Sequence, residues 1–449
     1  MERLEKKSLF IRTLGCQMNV HDSEKIMALM ETSGYESVDD IGKADLIIIN
    51  TCSIREKAAQ KVYSELGRLK KLKTIKPELI IGVGGCLAQQ WGAKFIEKVP
   101  CLDLVFGTHN IHLLPELIAK IQKERIPVVH TEFHESVNSL GISVRAKNGK
   151  VSAYVTIMQG CNNFCSYCVV PNLRGREESR PLKEIVDEVK VLADHGVKEV
   201  TLLGQNVNSY SGTTGNGHAF ADLLQKMGEI EGIERIRFTT SHPKDLSDAL
   251  VSCFSEVDKL CEHIHLPVQA GSDRILKMMN RRYTMTDYFD RVDKLRTVCP
   301  HISITSDIIV GFPGETERDF QATIDMMEKI RFDNIFSFKY SEREGTAAAK
   351  LGDKVSLCVK RDRLQLVQSL QEKHTLSKNR NLIGNMEEIL VESISKNSRE
   401  DVAGRTRTNK IVNFRGYNNL IGKTVSIVIT DAYLHSLRGV LTEEEVTQC

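Results

Sequence analysis

Gly160-Cys161-Asn162-Asn163-Phe164-Cys165-Ser166-Tyr167-Cys168 is a C-x3-C-x2-C run with no fourth cysteine nearby. Three thiolates can hold a cubane [4Fe-4S] cluster and leave one iron without a protein ligand. A structural zinc site or an electron-transfer cluster normally closes its coordination with a fourth residue. An open iron is a place for a small molecule to bind. Cysteine is otherwise often a small buried hydrophobe, but glycine, asparagine and aromatic residues here give the triplet the composition of a loop.

The run Tyr154 to Gln159 leads straight into that loop, as a strand leads into the first loop of a βα unit. Further strand-like runs are Glu199 to Leu203, Arg235 to Thr239, His263 to Leu266, Ile302 to Val310 and Ile335 to Tyr340, with helical patterns between them. About six βα units predict a parallel, partial TIM-type barrel. The strands run into Gly204-Gln205-Asn206, Ser241-His242-Pro243, Pro267 to Ser272 and Gly311 to Glu315. Loops at the C-terminal strand ends are where such barrels assemble their sites.

Upstream, apolar runs end at Gly15-Cys16, Thr51-Cys52 and Gly85-Cys86, each bounded by glycine or asparagine as buried parallel strands are. A helix is expected from Ser53 to about Lys73. The cysteines stand 36 (16 to 52) and 34 (52 to 86) residues apart, about one βα unit each. They form a second candidate three-thiolate site at the sheet edge that binds ligands in α/β folds. No local motif links them, so three unrelated core cysteines fit the spacing equally.

Residues 131–150 read as a linker, and a charged helical connector is expected from Ser356 to Arg380. Beyond it, Glu388 to Glu392, Lys410 to Phe414 and Val425 to Ile429 alternate between glycines, the pattern of a small antiparallel barrel. The expected domains are 1–130, 151–380 with the connector, and 381–444.

Composition excludes some classes. No apolar run reaches about eighteen residues, so no membrane span is expected. The charged start, Met1 to Lys7, leads into a strand and is not a signal peptide. Twelve cysteines without an export signal point to a reducing, cytoplasmic setting. A net charge of +2 leaves any nucleic-acid contact to local patches.

The triplet resembles the radical S-adenosylmethionine (SAM) signature. The three blocks in this order resemble the methylthiotransferase family over essentially the whole chain. The motifs that carry this are Thr13 to Asn19, Asn50 to Ala58 and Gly82 to Cys86, together with the C-x3-C-x2-C loop. Gly175 to Pro181 and Leu203 to Asn208 look most like the tRNA branch. The resemblance implies an N-terminal α/β domain with an auxiliary cluster on Cys16, Cys52 and Cys86. It further implies a radical SAM barrel with a [4Fe-4S] cluster on Cys161, Cys165 and Cys168, and an OB-like TRAM barrel. The implied reaction is methylthiolation of C2 of N6-dimethylallyladenosine beside the tRNA anticodon. One SAM would be the radical source and a second the methyl donor, with sulfur delivered from the auxiliary cluster. No side-chain acid or base is implied, because radical chemistry belongs to the cofactor.

Gly204, Gln205, Asn206, Gln269, Ser272, Gly311 and Glu315 are the implied SAM contacts, although Gly311 and Gly314 fit ordinary turns as well. Arg174, Arg176 and Arg180 follow the cluster loop and are candidates for phosphate contact. Arg405, Arg407 and Lys410, with Phe414, are candidates for a basic groove with an aromatic platform on the small barrel. The glycine-rich stretch Ser211 to Gly217 suggests a loop that orders on RNA. A flavodoxin- or ferredoxin-type reductant and a monomeric state are further expectations. The rival readings are a sister enzyme acting on threonylcarbamoyladenosine or a ribosomal-protein aspartate, and a non-catalytic iron-sulfur RNA-binding or redox-sensing protein.

Overall fold

Alternate residues of Leu46–Thr51 enter opposite hydrophobic cores: Leu46 and Ile48 one, Ile47 and Ile49 the other. A strand buried on both faces needs helices on both, and a doubly wound sheet supplies them. The computed structural model describes residues 6–53, 56–134, 136–142, 149–212, 219–396 and 398–442. Ile54 and Arg55 of the second N-terminal motif and Thr213 to Gly217 of the glycine-rich stretch lie outside them.

The N-terminal sheet contains β1 (Lys7–Leu14), β2 (Tyr35–Ser37), β3 (Leu46–Thr51), β4 (Ile80–Gly85), β5 (Leu104–Phe106) and β6 (Val128–His130). They are parallel throughout, in the order β2-β1-β3-β4-β5-β6. Three of them, β2, β5 and β6, have three residues each, too short to register as a sequence pattern. Residues 136–142, expected as part of a linker, are partly packed: Val137 and Leu140 are buried, and the Val137 N–H donates to Glu178 at 2.8 Å.

The second unit is β7 (Ser152–Thr156), a short pair of β8 (Met158–Gln159) with β9 (Glu178–Ser179), then β10 (Glu199–Leu203), β11 (Arg235–Phe238), β12 (His263–His265), β13 (Ser303–Val310) and β14 (Asn334–Lys339). Six parallel strands run β7-β10-β11 and β12-β13-β14, joined by a bridge between Ile236 and Leu260. Among the described residues β7 and β14 have no further strand partner, so the barrel is a split (β/α)6 arc. Val200, Leu202, Ile236, Ile264, Ile304 and Ile308 point out into the helix-covered core. The alternate positions face the lumen and are mostly polar.

The third unit is a closed barrel of β15 (Met386–Ile394), β16 (Asp401–Thr406), β17 (Ile411–Arg415), β18 (Thr424–Ala432) and β19 (Leu437–Leu441), in the order β15-β16-β17-β19-β18. All pairs are antiparallel except β17 with β19. Phe414, expected as a platform, is fully buried in its core.

The connection between β16 and β17 is seated against the N-terminal ends of the (β/α)6 strands. Arg235 donates to the Arg405 carbonyl at 2.6 Å, and Arg237 to the Thr406 and Arg407 carbonyls at 2.8 and 2.9 Å. Arg407 grips the Glu262 carboxylate at 2.7–2.9 Å and the carbonyls of Asp258 and Leu260. Arg405 pairs with Glu392 at 3.1 Å, and Lys410 donates to Asn379 at 2.8 Å. This corrects the expected basic groove. Arg405 is spent within the small barrel. Arg407 and Lys410 clamp that barrel to the larger unit and its connector, Arg407 at the barrel end opposite the cluster loop. Replacing Arg407 with alanine should therefore speed proteolytic cleavage around residues 381–385 several-fold. Unchanged cleavage kinetics would show that the clamp does not hold the small barrel in place.

Candidate active site

β1, β3 and β4 finish in register, with Leu14 opposite Thr51 and Thr51 opposite Gly85. Cys16, Cys52 and Cys86 therefore leave the sheet at one place. Asn19 donates to Asn50 Oδ1 at 3.2 Å and to the Thr51 carbonyl at 3.1 Å. Asn50 returns a bond to the Asn19 carbonyl at 2.9 Å and another to Ser23 Oγ at 3.0 Å. Asn19 Oδ1 accepts from the Cys16 N–H at 3.2 Å. Thr51 Oγ1 donates to the Gly84 carbonyl at 2.7 Å. The polar residues of these motifs are thus braces for the cysteines. Gly85 has φ +87°, and a Cβ there would meet Asn50 Oδ1 and the Thr51 carbonyl oxygen at 2.4 Å, so only glycine fits.

Arg174 reaches into this place. It is 3% exposed, and it donates to Asp22 at 2.6 Å. A hydrogen bond with Cys52 lowers the Cys16 thiol to about 6, with the Arg174 charge adding and burial opposing. Burial pushes the Cys86 thiol up, and Arg174 opposes it. For Arg174, burial works against the charge, but Asp22, Cys86 and Cys16 together outweigh it. One guanidinium therefore interacts with two thiols of the triad, and the third, the thiol of Cys52, is hydrogen-bonded to Cys16. Arg180 is likewise buried, paired with Glu188 at 2.6 Å and donating to the Thr156 carbonyl at 2.9 Å. These partners correct the reading of Arg174 and Arg180 as phosphate ligands. Arg176 alone of the three is exposed, its guanidinium 4.5 Å from the Phe164 ring centroid.

The C-x3-C-x2-C loop is held by its neighbours. Gly160 has φ +81°, and a Cβ there would lie 1.9 Å from the Arg176 carbonyl oxygen. Ser166 Oγ donates to the Met278 carbonyl at 2.8 Å, and Asn280 donates to the carbonyls of Asn163 and Phe164 at 3.2 and 2.9 Å. Buried Arg281 donates to Cys165 Sγ at 3.4 Å and to the Pro267 carbonyl at 2.5 Å. Asn280 and Arg281 are anchors that no sequence pattern marked. Burial pushes the Cys168 thiol to about 12, with Cys165 and Cys161 adding. Cys161 is raised by burial, and Cys165 adds there too. Such thiols give up their protons when they ligate a metal.

The short helix Val170–Arg174 begins two residues after Cys168 and ends on Arg174. Val169 and Leu173 pack on Cys86, Thr108 donates to the Leu173 carbonyl at 2.7 Å, and His109 is hydrogen-bonded to the Arg174 carbonyl at 3.0 Å. One short helix thereby ties the two triads together.

The expected SAM contacts divide. Gln205 Oε1 accepts from the Gly160 N–H at 2.5 Å, at the cluster loop itself. Asn206 donates to Asp245 at 2.7 Å, and its buried Oδ1 has no partner. Gln269, in the left-handed region at φ +75°, also buries an unpartnered Oε1. Buried acceptors without donors fit an amine-bearing ligand. Gly204 abuts Met158, where a Cβ would meet the sulfur at 2.5 Å. Ser272, Gly311 and Glu315 are used otherwise. Ser272 donates to Asp319 at 2.6 Å, and Glu315 accepts from the Gly311 N–H and from Arg363, each at 2.7 Å. These bonds hold turns at strand ends, a structural role that sequence alone does not separate from ligand contact.

The donor sets fit two open cubanes. Among the described residues, no group of three or more His, Cys, Asp and Glu is arranged to hold a single metal ion. A cubane asks for a wider arrangement, because each thiolate takes a separate iron. Replacing Arg174 with methionine should strand Asp22 in the interior and cost about 3–5 kcal/mol. Added Asp22→Leu should restore part of the melting temperature. If Arg174→Met weakened RNA binding without lowering stability, the phosphate reading would return.

Family models match in chain order: Uncharacterized protein family UPF0004 over residues 8–107, the Radical SAM superfamily over 155–327 and the TRAM domain over 380–442. The tRNA-2-methylthio-N(6)-dimethylallyladenosine synthase of Syntrophus aciditrophicus (strain SB) is 63% identical over 99% of this chain and 96% of its own length. The protein of the same name from Geobacter sulfurreducens is 50% identical over 98% of this chain and 99% of its own. Among solved structures, the radical S-adenosylmethionine methyltransferase TsrM of Kitasatospora setae, with cobalamin and a [4Fe-4S] cluster bound, shares the fold. Its TM-score is 0.59 at 15% identity, covering 77% of each chain. By full-length identity to these relatives, the chain belongs to the family of tRNA-2-methylthio-N(6)-dimethylallyladenosine synthases.

Proposed function

We propose that the protein places a methylthio group on C2 of N6-dimethylallyladenosine beside the tRNA anticodon, using two SAM molecules per product. The observation that carries this reading is the pair of three-thiol sets joined by the helix Val170–Arg174. No side-chain base removes a proton from an unactivated adenine C2–H bond at neutral pH. When bound, two [4Fe-4S] clusters and SAM supply the radical, the sulfur and the methyl group.

The chain's own residues do the placing. Cys161, Cys165 and Cys168 would hold the radical cluster, with Arg281 keeping positive charge against Cys165. Cys16, Cys52 and Cys86 would hold the auxiliary cluster, braced by Asn19 and Asn50 and faced by Arg174. Gln205, Asn206 and Gln269 present amide groups near the loop, and the two orphaned oxygens suit the SAM amine. The base would have to leave its stack to reach this place, as base-modifying enzymes require. Exposed Arg176 on Phe164 is the cation of the cluster region best placed to meet the RNA.

The relatives' names and the TRAM match support tRNA as the substrate. The domains are assigned as 1–130, 151–380 and 381–444, with 131–150 between them. Cleaving SAM consumes an electron, so a flavodoxin- or ferredoxin-type donor is assigned as partner. One chain carries both triads, which favours a monomer. Thiol ligands favour the reducing cytoplasm, and no helix among the described residues is long and apolar enough to cross a membrane.

The test is an anaerobic assay with reconstituted protein, SAM, dithionite and dimethylallyl-modified tRNA, read by nucleoside mass spectrometry. Cys16→Ala should still cleave SAM and make no methylthio product. Cys161→Ala should do neither. Methylthio product from Cys16→Ala, or none from the unaltered protein, would overturn the reading.

A further inference from the structure

Inward-facing positions of the split barrel are mostly polar. They carry Ser152, Tyr154 and Thr156 on β7, Glu199 and Thr201 on β10, and Arg235 and Arg237 on β11. On β12 they are His263 and His265, and on β13 Thr305 and Asp307. The pairing of β13 with β14 sets Asn334 beside Thr305, Phe336 beside Asp307 and Phe338 beside Ile309. Phe336 and Phe338 therefore face the lumen, while Ile335 between them packs on the outer core. They are 51% and 47% exposed, and neither joins a hydrophobic cluster. Two phenylalanines left in the open on an inner face are costly unless something covers them.

We propose that Phe336 and Phe338, with Ile309, form the wall that receives the dimethylallyl group of the substrate adenosine and sets the preference for that group. This rests on the reading above and deepens it. Position supports it: Phe338 and Ile309 lie near the C-terminal strand ends, and Gln269 is bridged to the neighbouring Ile308. That is the end of the barrel that carries the cluster loop. Among the described residues β14 pairs with no strand beyond β13, so the wall lies at the gap between the two edge strands of the split barrel.

Charge decides between the family's substituents. The polar neighbours of this wall are His265, edge-on to Phe336 at 5.9 Å between ring centres, and Asp307, 3.4 Å from His265. Lys339, the basic residue of β14, alternates to the outer side. An uncharged branched alkenyl group suits this surface. The carboxylate of a threonylcarbamoyl group would meet Asp307 with no free cation on β12, β13 or β14 facing it. A terminal apolar group in such a wall is worth roughly tenfold to a hundredfold in discrimination.

The test uses the reconstituted holoenzyme and anticodon stem-loop RNAs that differ only at N6 of the target adenosine: unsubstituted, methyl, dimethylallyl or threonylcarbamoyl. For the unaltered protein, affinity should rise from unsubstituted through methyl to dimethylallyl, with threonylcarbamoyl weakest. In Phe338→Ala and in Phe336→Ala/Phe338→Ala, the dimethylallyl preference should fall by about tenfold, while affinity for unsubstituted RNA stays. Phe338→Leu should recover part of it. Iron and sulfide content equal to that of the unaltered protein certifies the fold of each variant. Equal affinity of the unaltered protein for all four RNAs overturns the wall, whatever the variants do. So does an unchanged preference in the double variant, or a proportional loss for every RNA. Absence of methylthio product from the unaltered protein would instead sink the reading beneath it.

Discussion

The buried pair of Arg174 with Asp22 is the constraint on which the rest of the molecule turns. Two charges in an interior stabilise little on their own account, because desolvation offsets most of their attraction. Their value here is positional. Asp22 belongs to the helix Gln17–Thr32 that begins after Cys16, and Arg174 ends the helix that follows Cys168. Satisfying one buried carboxylate therefore fastens the N-terminal domain to the radical SAM barrel. It also sets a cation among thiols that ligate only when deprotonated.

Cations serve three separate ends in this chain. Arg281 and Arg174 stand in the interior beside sulfur. Arg235, Arg237 and Arg407 stitch the small barrel onto the floor of the larger one, through carbonyls and the Glu262 carboxylate. Arg176 stays on the surface over an aromatic ring. The OB-like barrel is thus docked by the very connection that looked most suited to nucleic acid. Its remaining exposed cations, such as Arg399 and Arg415, lie away from that dock.

Strand-borne features were the legible part. Glu199 to Leu203 is a strand as read, and the three N-terminal cysteines meet because a parallel register aligns the ends of β1, β3 and β4. Side-chain commitments were not legible. Ser272 and Glu315 look like ligand contacts in sequence, yet Asp319 and Arg363 claim them through partners that are 47 and 48 residues away. Arg405, Arg407 and Lys410 read as a basic patch, because a list of residues does not show the acids folded against them. Phe336 and Phe338 lie in a run legible only as a strand, because alternation names two faces without saying which one is filled. Asn280 and Arg281 left no periodic or motif trace, since Asn280 bonds carbonyls of a distant loop and Arg281 bonds that loop's Cys165 sulfur and the Pro267 carbonyl.

The helix Val170–Arg174 has five residues, so it spans about 7 Å at roughly 1.5 Å per residue. That makes it a ruler as well as a tie. A single inserted or deleted residue would turn Arg174 by about 100° around the axis and swing its guanidinium off Asp22. The stretch between Cys168 and Arg174 is therefore intolerant of length change, even where its side chains tolerate substitution. Natural variation that respects this geometry would alter letters there and leave their number alone.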